Sequence, residues 1–221
     1  MTTAILRKTL TAGLARLERP LPEEAVEALL AYVNLLHRWN RAYNLTAVRG
    51  PAEMIRRHVI ESVAILPYVT GRTLLDVGSG AGIPGLPLAV ARGHGTVELM
   101  DSSSKRVRFL RHVVATLGLS NVQVVHGRAE RVPGRDVDCV TARAVAALDR
   151  LLPMAVRHCT PGGQVLALKG PRVEEEIDAL PPQLRRGVTV ETLQVPDDER
   201  RITIVVYHLP GGIEQKQNSQ E

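Results

Sequence analysis

Apolar positions in the first third of the chain fall at helical spacing. From Pro22 to Trp39 they are Val26, Leu29, Leu30, Val33, Leu36 and Trp39, with Pro22 at the first turn and acidic Glu23 and Glu24 beside its positive end. That spacing predicts an amphipathic helix. A second helical pattern runs from about 52 to 66 through Ile55, Val59, Val63 and Leu66, after the turn signal Gly50-Pro51. From Thr73 the period changes: short apolar runs at 73–77, 96–100, 122–125, 138–142 and 164–168 alternate with longer helical segments, as parallel strands buried on both faces require. Two further runs, 188–193 and 202–209, leave no room between them for a crossover helix. They predict an antiparallel hairpin turning at Pro196-Asp197-Asp198. The expected architecture is a mostly parallel, doubly wound α/β sheet over 71–209, preceded by a helical extension over 1–70 and followed by a disordered tail over 210–221.

Composition narrows the class without naming a chemistry. Of 221 residues, 44% are hydrophobic and 23% charged, which is ordinary globular usage and supplies enough apolar surface for a core. No stretch approaches the roughly 18 uninterrupted apolar residues of a membrane span, and no basic-then-apolar secretory pattern opens the chain, so the cytoplasm is the expected location. Cys139 and Cys159 are the two cysteines, without CxxC spacing or a nearby His cluster, so neither a disulfide scaffold nor a structural metal is expected. The 28 Lys and Arg against 23 Asp and Glu leave a net charge of +5, which favours a polyanionic partner.

The chemistry-bearing segment is Leu74-Leu75-Asp76-Val77-Gly78-Ser79-Gly80-Ala81-Gly82-Ile83-Pro84-Gly85. It follows a strand and opens a helix, where unpaired backbone N–H groups face a ligand and Gly78, Gly80 and Gly82 allow close approach. Gly80 to Gly85 also satisfies GxGxxG, so dinucleotide binding stays open from the loop alone. A mononucleotide phosphate loop is disfavoured, because Gly85 is followed by Leu86-Pro87 and no Lys-Ser or Lys-Thr. Asp76 would repel a pyrophosphate but could attract, directly or through water, the ammonium end of a methionine moiety, which tilts the reading towards S-adenosylmethionine. Asp101, ending the second strand, is suited to accept both ribose hydroxyls, or alternatively to cap the following helix. Arg128-Ala129-Glu130 could meet an adenine edge or be a solvated loop.

Trp39-Asn40-Arg41-Ala42-Tyr43-Asn44-Leu45-Thr46, Arg57-His58, the Asp76–Gly85 loop, Asp101-Ser102 with Lys105-Arg106, Arg143-Ala144 and Lys169-Gly170 together resemble ribosomal small-subunit methyltransferase G, also called glucose-inhibited division protein B. The resemblance spans roughly residues 30 to 175. It departs from the family pattern at Glu61, where an Asp-Ser pair is usual, and at Thr141-Ala142-Arg143, which replaces a Ser-Arg context. It implies a class I S-adenosylmethionine-dependent methyltransferase fold of seven strands with an antiparallel last strand. It also implies an enzyme methylating N7 of a guanine in bacterial 16S ribosomal RNA, within the small subunit. By the same resemblance Gly78, Ile83, Ala129, Glu130 and Arg143 contact the cofactor. Arg143 ends the fourth strand beside the central crevice and is the expected catalytic residue. Lys105, Arg106 and Lys169 are candidates for RNA contacts, with Lys169 equally readable as a snorkelling lysine.

That reaction accounts for what the sequence lacks. Guanine N7 carries a free lone pair, so no base must first remove a proton. A Cys or His dyad is then unnecessary, and His58 and His112 read as packed or solvated. An arginine bonded to both O6 and N7 would occupy the reacting lone pair. Aromatic residues make up 3%, too few for stacking-led recognition of isolated RNA, and Trp39 continues an apolar stripe. Two rival readings remain at this stage: a small-molecule methyltransferase with the same cofactor core, and a non-catalytic cofactor-sensing RNA-binding protein.

Overall fold

The computed structural model describes residues 2–93, 95–195 and 201–211. The turn expected at 196–198 and residues 212–221 of the expected tail lie outside these described residues.

The chain opens with helices α1 (Thr3–Arg16) and α2 (Glu23–Tyr43). α2 is four residues longer than its apolar stripe predicts and stops at Asn44, whose left-handed φ of 49° ends the helical hydrogen bonding. α1 was not placed by the sequence pattern; it is anchored by Leu6, Leu10 and Leu14, one buried leucine per turn. The next helical stretch is continuous but not uniform: α3 (Pro51–Met54), a π-helical turn (Ile55–Ile60), α4 (Glu61–Ala64) and a 3-10 turn (Leu66–Tyr68). π turns insert one residue and rotate the side chains that follow, often at functional sites.

The remaining elements are β1 (Thr73–Val77), α5 (Gly85–Arg92), β2 (Thr96–Asp101), α6 (Ser104–Leu117), β3 (Val122–His126), β4 (Val137–Arg143), α7 (Leu148–Val156), β5 (Cys159–Lys169), α8 (Val173–Asp178), α9 (Pro182–Arg185), β6 (Val188–Gln194) and β7 (Arg201–His208). They form a seven-stranded sheet in the order β3-β2-β1-β4-β5-β7-β6. β1 to β5 pair in parallel, and β7 runs antiparallel to both β5 and β6. One expectation fails: β3 and β4 are joined by turns and irregular backbone over 127–136, not by a helix. The link crosses from the sheet edge to its centre, and its ends are held by ties such as the His158 Nε2 contact with the Ala129 carbonyl.

Alternation along each central strand sends side chains to two faces. Leu74, Leu99 and Leu166 join Leu10, Leu29, Val33, Phe109 and Ile204 on one side, while Leu75, Val140 and Val165 join Leu151, Leu152 and Leu180 on the other. The first 70 residues are therefore packed into the sheet's own core rather than appended to it. Among the described residues no helix is long and apolar enough to cross a membrane.

Candidate active site

Strand order reverses between β1 and β4, opening a crevice at their carboxyl ends. Three cavities meet there around Arg143, Ala144 and Val145. One of about 310 Å³ lies between Gly78, Asp101, Arg106 and the 127–130 turn. A second of about 300 Å³ lies between the glycine loop, Leu45–Val48, Arg57 and His58. The largest, about 680 Å³, extends over the ends of β4 and β5 to Lys169, Arg172, Glu176 and Arg201.

The glycines of the loop divide by what surrounds them. Gly78, Gly80 and Gly82 all adopt left-handed φ, of 69°, 58° and 90°. A Cβ on Gly80 would meet nothing closer than the Gly78 carbonyl at 3.7 Å, so its face is open to the cavities. A Cβ on Gly85 would fall 2.3 Å from Leu99 and 2.8 Å from the Asp76 carboxylate, so this glycine is demanded by packing.

The two loop-side carboxylates hold backbone. Asp76 is fully buried; its Oδ2 accepts from the Gly85 N–H at 3.1 Å and its Oδ1 from the Thr141 hydroxyl at 3.1 Å, across the register pair Asp76–Thr141. Both oxygens thus face inward and brace the loop, so that of the two routes expected to a ligand ammonium, directly or through water, the direct one is closed. Burial without a cationic partner pushes its pKa up to about 7, against the lowering effect of those hydrogen bonds. Asp101 is 3% exposed; Oδ2 accepts from the Gly80 N–H at 2.9 Å and Oδ1 from the Ser103 N–H at 2.8 Å. It therefore ties the glycine loop to the start of α6 while lining the 310 Å³ cavity.

The helical N-terminal region builds the facing wall. Asn40 donates to the Val48 carbonyl at 3.0 Å and accepts from the Thr46 N–H at 2.9 Å, while the Thr46 hydroxyl meets His58 Nε2 at 2.9 Å. The π turn presents Arg57 and His58 to the cavity. Burial, and then the nearby Arg143 cation, lower the His58 pKa to about 4, so it is neutral near pH 7. From the other side, the buried Tyr32 hydroxyl donates to the Ala81 carbonyl of the glycine loop at 2.8 Å. Arg143 closes the wall: Nη2 bonds Glu61 at 2.8 Å and Nη1 donates to the Arg57 carbonyl at 3.1 Å.

A sequence profile described as rRNA small subunit methyltransferase G matches residues 25–202. The chain belongs to this family. A ribosomal RNA small subunit methyltransferase G from Alkalilimnicola ehrlichii is 53% identical over 86% of this chain and 87% of its own length. The Shigella flexneri protein of the same name is 44% identical over 80% of this chain and 86% of its own length. In fold, the chain is similar to a SAM-dependent methyltransferase from Aquifex aeolicus, with TM-score 0.53 and 20% identity over 75% of this chain and 96% of that one. It is also similar to P. horikoshii TYW2 in complex with MeSAdo, with TM-score 0.54 and 16% identity over 69% and 62%.

Within that family frame, the crevice gathers most of the expected residues but assigns several of them new partners. Gly78, Gly80, Ile83, Asp101, Ala129, Glu130 and Arg143 line the two smaller cavities, whereas Gly82 packs inward, where a Cβ would meet Leu86 at 2.3 Å. The Ala129 carbonyl accepts from His158 Nε2 at 2.9 Å, which fixes the turn. Arg143, expected as a catalytic and cofactor-contacting group, spends one bond from each terminal nitrogen on the wall while still lining two of the cavities. The RNA candidates each have a partner within the protein. Lys105 donates to the Tyr43 carbonyl at 2.8 Å, Arg106 bonds Asp101 at 3.4 Å inside the cofactor-sized cavities, and Lys169 is bonded to the Ala146 carbonyl at 2.6 Å and Glu176 at 2.7 Å. The two departures from the family pattern find uses: Glu61 pairs with Arg143, and Thr141 holds Asp76. Sequence reasoning missed Asn40, Thr46 and Tyr32, whose partners lie in other segments; the quoted 39–46 motif was the signal that could have found the first two. Trp39 stacks within the α2–α6 interface, 5.5 Å from Phe109 and 5.3 Å from His112.

Proposed function

We propose that this protein transfers the methyl group of S-adenosylmethionine to N7 of a guanine in bacterial 16S ribosomal RNA, acting on the small subunit in the cytoplasm. The observation that carries the reading is the meeting of three cavities at residues 143–145, two of about 300 Å³ lined by the glycine loop and its neighbours and one of about 680 Å³ beside them with Arg172 and Arg201 in its lining.

The residues present fit the cofactor: the open face of Gly80 admits a close approach, and Asp101 brings a buried carboxylate to the nucleoside-sized cavity. When bound, the cofactor supplies an electrophilic methyl on a sulfonium. Asp101, Gly78, Gly80 and the 129–130 turn hold the nucleoside part, and Ile83 with the 45–48 segment encloses the tail. Neutral His58 fixes Thr46 and adds no positive charge beside a cationic ligand. Arg143 acts as a positioning residue: its bonds to Glu61 and the Arg57 carbonyl keep Arg57 and His58 against β4. Since N7 bears no proton, the chain needs no general base. Exposed Arg172 and Arg201 at the rim of the large cavity take over from Lys169 as candidate phosphate contacts.

The test is transfer of labelled methyl from S-adenosylmethionine to purified small subunits, followed by nuclease digestion and mass spectrometry. The expected product is 7-methylguanosine in 16S RNA. Label on another base, or on a small metabolite while RNA stays unlabelled, overturns the substrate assignment.

A further inference from the structure

The largest cavity contains two carboxylates with different freedom. Glu61 has its side chain 9% exposed and is committed to Arg143. Glu176, on α8, is 28% exposed, and among the described residues both of its bonds fall on one oxygen: Oε2 accepts from Lys169 Nζ at 2.7 Å and from the Leu148 N–H at 2.9 Å. Lys169 also holds the Ala146 carbonyl at 2.6 Å. The carboxylate is thus locked in orientation by the end of β5 and the first turn of α7, and among the described residues no hydrogen bond falls on Oε1; Glu176 lines both the largest cavity and a neighbouring one of about 360 Å³ beside Ala147 and Asp149.

We propose that Glu176 selects guanine by accepting hydrogen bonds from its N1–H and N2 amino group. The inference rests on the proposed N7 methylation and adds the residue that reads the base. Its geometric basis is the strand order. Gly78 follows β1, Ala144 and Val145 follow β4, and Lys169 ends β5 with Glu176 of α8 bonded to it, so the crevice is about two strand spacings wide, or about 10 Å. The N7 edge of a purine lies opposite its N1 and N2 edge. A base that turns N7 towards the loop at β1 therefore turns N1 and N2 towards β5, where Glu176 stands. Adenine offers an equally free N7, but it presents a lone pair at N1, which a carboxylate repels. Availability of N7 cannot distinguish the two purines, and a fixed acceptor on the far edge can.

Small subunits carrying guanine, adenine or inosine at the target position separate the possibilities. The wild-type protein should methylate guanine, leave adenine unmethylated, and show at least a tenfold higher KM for inosine, which lacks the N2 amino group. Glu176→Gln should raise the KM for guanine more than it lowers kcat. It should also lower the guanine-to-adenine ratio at least tenfold, because a carboxamide can donate to adenine N1. Cofactor affinity measured by calorimetry should stay within twofold. Equal use of inosine and guanine by the wild-type protein overturns the proposal whether or not the variant folds. A Glu176→Gln protein that binds cofactor normally and keeps both the wild-type ratio and the wild-type KM overturns it too. Failure of the wild-type protein to methylate guanine N7 in any particle would instead remove the parent reading, and this proposal with it.

Discussion

On the loop side of the crevice Asp76 and Asp101 chiefly hold backbone, the N–H groups of Gly85, Gly80 and Ser103, with Arg106 reaching Asp101 only at 3.4 Å, whereas on the far side Glu61 and Glu176 each pair closely with a cation, Arg143 at 2.8 Å and Lys169 at 2.7 Å. In the proposed reading the loop-side acids shape backbone around a ligand that carries its own positive charge. The far-side acids neutralise and aim cations where a polyanion arrives, and their partners are fixed rather than free. Charge counted along the sequence does not separate these two uses; the partner of each group does.

Removing Arg143 should break the far side most severely. Arg143→Ala removes the Arg143–Glu61 pair, a loss of about 3 kcal/mol for a largely buried pair, and should lower methyl transfer about a hundredfold while cofactor affinity falls far less. Arg143→Lys should recover little, since one ammonium cannot span both Glu61 and the Arg57 carbonyl. Single-turnover assays with calorimetry check both; equal losses in turnover and cofactor affinity would erase the distinction between the sides.

Asp101→Ala should act in the opposite sense, weakening cofactor binding roughly ten- to hundredfold by loss of about 1.5 to 3 kcal/mol of charged hydrogen bonding, in a protein that stays folded. Wild-type binding in the folded variant would defeat the assignment. A pair of glycine variants sharpens the loop side further. Gly85→Val should lower thermal stability, by about 1 to 3 kcal/mol for a side chain forced against Leu99 and Asp76. Gly80→Val should instead lose cofactor binding with a smaller change in melting.

The smallest effect is a pH slope. A carboxyl whose folded pKa is raised, as burial raises that of Asp76 to about 7, adds stability that is complete below its ordinary range near 4 and is lost as pH rises through 7. Asp76→Asn should flatten that part of the curve, so the melting advantage of the wild type over the variant shrinks between pH 4 and pH 8. A constant difference would mean that Asp76 is ionised throughout.

Most of the sheet was legible because central strands buried on both faces must be nearly unbroken apolar runs, and Thr73–Val77 reads that way directly. The hairpin of β6 and β7 followed from spacing alone. α1 was harder, since one leucine per turn is a thin stripe, and the β3–β4 link carries no period at all. In the site, residue types and positions were readable while directions were not. Asp76 sits where its motif requires, yet which way its carboxylate turns depends on Thr141, 65 residues away. Lys105 and Lys169 looked like free cations because carbonyls at Tyr43 and Ala146 leave no trace in a charge pattern.

The hydroxyl of Tyr32 reaches Ala81 across 49 residues of sequence, and that single bond makes α2 a party to whatever happens in the glycine loop. Reciprocity then applies: a ligand that steadies the loop must slow amide exchange in α2, and a disturbance of α2 must return as weaker ligand binding by the same free energy. Tyr32→Phe, which keeps the ring in the core and deletes only the oxygen, isolates that coupling. Amides far from any ligand contact would then report how full the crevice is.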